Sequence, residues 1–188
     1  MKTPRLPLFG ALLAVGALSL GSCAALTATT APDVPQPVSS LFGSLDDAKL
    51  RDTKVDPFAN NHPAISKLDP QLRSALQEAA AAARQNGIKD FWVTSGWRSE
   101  GYQQQLLDEA VATYGSKAEA SRWVASPTSS SHVTGHAVDV GPTDAADWLS
   151  RKGNRFGLCQ VYANELWHYE LLTTKGGDCP AMSSSAAG

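Results

Sequence analysis

Two stretches decide how this chain is read: Ser130-Ser-His132-Val-Thr-Gly135-His136-Ala-Val-Asp139 and, further on, Asn164-Glu165-Leu-Trp167-His168. Two imidazoles and a carboxylate suit zinc, and three protein ligands with one position left open characterise a catalytic rather than a structural zinc site. His132, Asp139 and His168 are the candidate ligands. Ala137-Val-Asp-Val140 reads as a strand, and a carboxylate between Val138 and Val140 needs a partner. On an unbroken strand His132 and Asp139, seven apart, would face opposite sides, so the chain must bend between them, and Gly135 is the residue that permits it. The same parity puts His136 on the face opposite Asp139 and argues against it as a ligand. Glu165, three before His168, is expected on the bend that leads into a second strand.

The flanking sequence predicts the frame around these stretches. Asp69-Pro70 opens a helix on which Leu72, Leu76, Ala79, Ala80 and Ala83 recur until Gly87. Asp90-Phe-Trp-Val-Thr-Ser95 is short, aromatic and β-branched, which predicts a strand ending at Gly96. A helix follows Ser99 with Tyr102, Leu106, Ala110 and Tyr114 on one face, and another begins at the capping box Ser116-x-x-Glu119 and carries Trp123. After the Pro127–Ser131 loop and the Ala137 strand come a helix from Thr143 to Lys152 and strands from Arg155 to Tyr162 and Leu166 to Leu172. Helices come mostly first and strands mostly last, which predicts an α+β domain with a small, largely antiparallel sheet and helices packed mainly from the N-terminal half. Trp167 is expected in the core and His62 in a loop.

The 188 residues are 43% hydrophobic and 18% charged, which is ordinary globular composition, and 16 Lys plus Arg against 18 Asp plus Glu give no electrostatic reason for a nucleic-acid partner. Lys2 and Arg5 precede the apolar run Leu8–Leu20, the layout of a secretory signal peptide over residues 1–22. Its removal takes away two cations and no acid, shifting the net charge from −2 to −4. Leu20-Gly21-Ser22-Cys23 resembles a bacterial lipobox with Cys23 as the lipidated residue; an unmodified Cys near an ordinary cleavage site is the alternative. Residues 23–44, rich in Ala, Thr, Pro and Ser, read as a flexible tether, residues 45–181 as one domain, and residues 182–188 as a disordered tail. In an exported chain Cys159 and Cys179 remain as an even pair without metal or redox spacing, so a disulfide is expected, enclosing and bracing Glu165 and His168.

Ser-x-His-x-x-Gly-x-Ala-x-Asp followed by Glu-x-Trp-His, with Ser95-Gly96-Trp97-Arg98-Ser99 upstream and Gln103 five after the arginine, resembles the zinc D-alanyl-D-alanine carboxypeptidases of the vancomycin-resistance (VanY) type. The resemblance covers about residues 60–172. It implies one zinc ion on His132, Asp139 and His168, Glu165 as general base, Arg98 as the cation facing the transition state, and Ser130 and Gln103 as substrate contacts. It further implies an enzyme that removes the terminal D-alanine from peptidoglycan stem peptides; together with the signal and lipobox readings this gives an exported, membrane-anchored enzyme, expected as a monomer. An L,D-carboxypeptidase acting on tetrapeptide stems remains open, as does a non-catalytic zinc-dependent wall-binding module of the kind hedgehog domains represent. A binding module has no need of Glu165. Family members often carry a longer Arg-Tyr-Pro segment before Glu-x-Trp-His; here Leu158-Cys-Gln-Val-Tyr-Ala-Asn164 stands in its place, leaving substrate preference on that side open.

Overall fold

The computed structural model describes residues 45–186. The signal-peptide, Cys23 and tether expectations therefore lie outside the described residues. Six helices, α1 (Leu45–Lys49), α2 (Pro63–Ser66), α3 (Pro70–Gln85), α4 (Glu100–Tyr114), α5 (Lys117–Ala120) and α6 (Thr143–Lys152), accompany four strands, β1 (Trp92–Ser95), β2 (Ala137–Gly141), β3 (Leu158–Gln160) and β4 (His168–Leu171). The strands form one antiparallel sheet in the order β1-β2-β4-β3. The α+β expectation holds, and α6 is the one long helix that follows the first half of the sheet.

Helix α3 starts where Asp69 caps it, its carboxylate accepting from the Gln71 and Leu72 amides at 2.8 and 3.1 Å, with Pro70 supplying a preset φ at the first turn. Its Leu72, Ala75, Leu76, Ala79, Ala80 and Ala83 face is buried in one cluster with Val93, Val138, Val140, Leu149 and Tyr169. Burying a leucine such as Leu72 or Leu76 completely is worth about 1.5–3 kcal/mol over leaving it exposed. The alanine stripe lets the helix pack closely against β4 and β3.

Four local expectations are corrected. On α4 the buried positions are Gln103, Leu107 and Ala110 rather than Leu106 and Tyr114, because a fully buried glutamine takes the place of an apolar residue in the pattern. The 155–162 strand is only β3: Gly153–Phe156 winds as a 3-10 turn, and Gly157 leaves it at φ 85°, a conformation open to glycine. Trp167 is 42% exposed rather than in the core, whereas His62 lies in the loop as expected and caps α2 from there. Finally, the tail expected to be disordered is paired at Ser183. The Ser183 N–H donates to Val161 O and its carbonyl accepts from the Ala163 N–H, both at 2.9 Å, because the Val161 carbonyl and Ala163 N–H face away from β4 and Cys179 holds the chain nearby.

Candidate active site

Register brings the candidate ligands together. Asp139 on β2 pairs directly with His168 on β4, so their side chains share a face. His132 reaches the same point from the loop before β2, because the chain turns at Gly135, whose φ is 78° and whose missing Cβ lets it lie against the Lys67 carbonyl. His136 is exposed, bonded to Thr134, and takes no part.

His132 Nε2, His168 Nδ1 and Asp139 Oδ1 form a triangle with sides of 3.3, 3.2 and 3.3 Å. The edge of a tetrahedron around an ion with 2.0–2.1 Å ligand bonds is about 3.3 Å. The tautomers are decided by the far ring nitrogens. His132 Nδ1 lies 2.8 Å from the Gly96 carbonyl, which can only accept, and His168 Nε2 lies 3.2 Å from the Glu170 carboxylate. Both distal nitrogens therefore carry the proton, leaving two imidazole lone pairs and a carboxylate oxygen aimed at one point. Asp139 Oδ1 is buried without a hydrogen-bond partner. With both rings neutral, three lone pairs converge on one point, and the set fits a cation.

The charges around the triangle are built to match. Burial resists a carboxylate at Asp139, but His132, His168 and Arg98 outweigh it and hold its carboxyl well below the usual range. Burial and the Arg98 guanidinium lower His132. Burial likewise opposes charge on His168, yet Asp139 and Glu170 overcome it and raise the imidazole to about 9. Without a metal the pocket therefore takes up a proton, and a metal ion must displace it.

Glu165 stands beside the triangle, its Oε2 3.8 Å from His168 Nδ1 and its Oε1 buried without a partner. Burial, with a smaller push from Asp139, raises its pKa from 4.5 to about 7. A carboxylate poised there can take and return a proton near neutral pH. The turn in which the Glu165 N–H bonds Tyr162 O and the His168 N–H bonds Glu165 O sets its place on the bend ahead of β4.

Arg98, in the loop between β1 and α4, spreads its fork over three acceptors: Ser95 Oγ at 2.7 Å, Gln103 Oε1 at 3.1 Å and Asp139 Oδ2 at 2.9 Å. It thus orients the second oxygen of Asp139 as well as facing the cleft. Gln103, 1% exposed, donates its amide to Ala125 O and accepts from Arg98, so its bonds hold the arginine in place. Ser130 is buried on the cleft wall. The Cys159–Cys179 disulfide is present, with Cα atoms 5.6 Å apart.

Three residues join the site that sequence reasoning does not single out. Glu170 bonds His168 Nε2 and accepts from Ser131 Oγ at 2.6 Å, tying the His132 loop to β4. Its signal is available in the sequence, since residues two apart on a strand share a face. Tyr162 lays its ring 4.9 Å from that of His168, and Trp123 lines the cleft while stacking on Tyr114; the first lies past the end of β3 at Gln160 and the second in the turn after α5 ends at Ala120, rather than on the strand and helix expected for them.

A curated D-alanyl-D-alanine carboxypeptidase of Enterococcus faecalis (strain ATCC 700802 / V583) is 32% identical over 146 residues, which is 64% of this chain and 53% of that protein. The chain thus spans about half the length of this relative. Among solved structures, a variant of the vancomycin-resistance D,D-pentapeptidase VanY from a VanB-type cassette, in complex with Zn(II), is 32% identical with a TM-score of 0.52, covering 58% of this chain and 73% of that one. VanYB in complex with D-Ala-D-Ala is 33% identical with a TM-score of 0.52, covering 55% and 70%. The profile of the VanY D-alanyl-D-alanine carboxypeptidases matches residues 65–173, and this chain belongs to that family.

Proposed function

We propose that this chain is an exported, zinc-dependent D-alanyl-D-alanine carboxypeptidase that removes the terminal D-alanine from peptidoglycan stem peptides. The observation that carries the reading is the coincidence of a closed ligand triangle with a buried carboxylate that is not part of it. A binding module needs the first, and only a hydrolase needs the second. His132, Asp139 and His168 would hold the metal, and a zinc ion bound there would acidify a water and polarise the scissile carbonyl.

Glu165 accepts a proton from the attacking water as its oxygen bonds to the carbonyl carbon, then delivers that proton to the D-alanine nitrogen as the C–N bond breaks. The Arg98 guanidinium, fixed by Ser95 and Gln103, supplies positive charge where the carbonyl oxygen becomes anionic, with no reorganisation during the step. Ser130 contributes a hydroxyl on the cleft wall for the peptide. Glu170 keeps the His168 ring in one orientation. The signal-like Leu8–Leu20 run and Cys23 support export and a lipid anchor that keeps the enzyme at the outward face of the membrane, towards the wall.

The testing experiment is digestion of purified pentapeptide and tetrapeptide stems with the zinc-loaded protein, with products weighed by mass spectrometry. Loss of one alanine from the pentapeptide alone is expected. Cleavage confined to the tetrapeptide would make the enzyme an L,D-carboxypeptidase, and cleavage of neither would make the site a binding module.

A further inference from the structure

The 161–163 segment leads straight into the site, with Tyr162 packed on His168 and Glu165 two residues beyond Ala163. Onto it the chain lays its own residues 182–186. Ser183 pairs in parallel with Tyr162 through the two backbone hydrogen bonds described above, Ser185 is buried to 6% exposure, and Ala186 lines the cleft beside Arg98, Glu165 and His168. Met182, Ser183 and Ser184 stay exposed. An extended chain pairing with an open backbone edge is a general way of holding a peptide, in which the main-chain bonds supply the grip. This grip is short, and the Ser-Ser-Ser-Ala side chains add neither charge nor apolar bulk to it.

We propose that residues 182–186 are a displaceable strap over the mouth of the cleft, so that the chain competes with its own peptide substrate. The inference rests on the peptidase reading above. The strap is rooted at Cys179, tied to β3 by the disulfide, and the seven residues from there to Ala186 reach at most about 25 Å when extended. A detached strap therefore stays near the cleft and rebinds as an intramolecular competitor. Such a competitor acts on access and leaves the chemical step alone, because Glu165, Arg98 and the ligand triangle are already formed with the strap in place. The apparent substrate affinity is the intrinsic one reduced by the open fraction, so a strap closed two-thirds to nine-tenths of the time raises KM about three- to tenfold.

The test compares the intact zinc-loaded chain with two variants, one lacking residues 182–188 and one carrying Ser183→Pro, which removes the N–H donated to Val161. Steady-state kinetics on a peptide ending in D-alanyl-D-alanine should show KM falling about three- to tenfold in both, with kcat unchanged, and hydrogen exchange at the Ala163 amide should quicken in both. A KM that stays the same overturns the strap. A KM that rises overturns it too and makes the segment a wall of the substrate site. If neither the intact chain nor the shortened one cleaves any peptide, the peptidase reading fails instead; a shortened chain that is active where the intact one is silent supports the strap.

Discussion

Replacing Glu165 by glutamine separates the two demands the site makes on that residue, stability and chemistry. In the metal-free protein the folded state holds the Glu165 proton more tightly than the unfolded chain does, since its pKa rises from 4.5 to about 7. Stability from this group is therefore complete below pH 4.5 and is lost as pH climbs through 7. A rise of that size corresponds to about 3 kcal/mol once the carboxylate is ionised, and with the side chain only 6% exposed little of it is screened by solvent. Glutamine is neutral at every pH, but its amide also sits without partners, and a buried unpaired polar group carries its own desolvation cost. The net gain should therefore be nearer 2 kcal/mol above pH 7 and close to zero at pH 4. That gain amounts to several degrees in melting temperature for a domain of this size. Thermal melts of chelator-treated Glu165→Gln and parent protein from pH 4 to 8 provide the assay. In the zinc-loaded protein the same substitution should cost about a hundredfold or more in kcat, the usual contribution of a positioned acid–base group. A variant no more stable than the parent at pH 8, or one advantaged equally at pH 4, would refute the burial argument.

Glu170→Gln should weaken zinc binding by about ten- to a hundredfold in a metal-buffer titration, because an amide orients the His168 ring less firmly and adds no charge; unchanged affinity would remove Glu170 from the site. Arg98→Lys, which cannot bond Ser95, Gln103 and Asp139 at once, should lower kcat/KM by on the order of a hundredfold in peptide hydrolysis while leaving the fold intact by circular dichroism. Undiminished activity would show that the fork is dispensable. Exchanging both Cys159 and Cys179 for serine opens a loop of 20 residues and should cost roughly 3 kcal/mol in denaturant unfolding. Loss of less than about 1 kcal/mol would mean that β3 and the tail root hold without it.

The parts of the site that are legible in the sequence are those governed by parity and by glycine. The seven-residue step from His132 to Asp139 forces a bend, and Gly135 supplies it at a positive φ. The odd spacing of Glu165 and His168 puts Glu165 on the approach to β4, and the structure has it there, outside the His132, Asp139 and His168 group. Helix α3 is legible from Asp69-Pro70 to Gly87 because caps and apolar period agree. What escapes is set by tertiary contacts. Gln103 is buried because it bonds Arg98 and Ala125, so polarity misreports the inner face of α4. The size of Trp167 argues for the core, yet its neighbour His168 claims the inward face of β4 and turns it out over the cleft. Ser and Ala content argues for a loose tail, and composition says nothing of the Val161 carbonyl and Ala163 N–H that receive it.

The central claim is the identity of the donors around the metal, and X-ray absorption at the zinc edge of the intact, zinc-loaded chain measures it directly. The ligand triangle predicts one zinc per chain with two imidazole nitrogens and a carboxylate oxygen at about 2.0–2.1 Å, completed by a light solvent atom. Sulfur at about 2.3 Å, a third imidazole, or a protein that retains no zinc would contradict it.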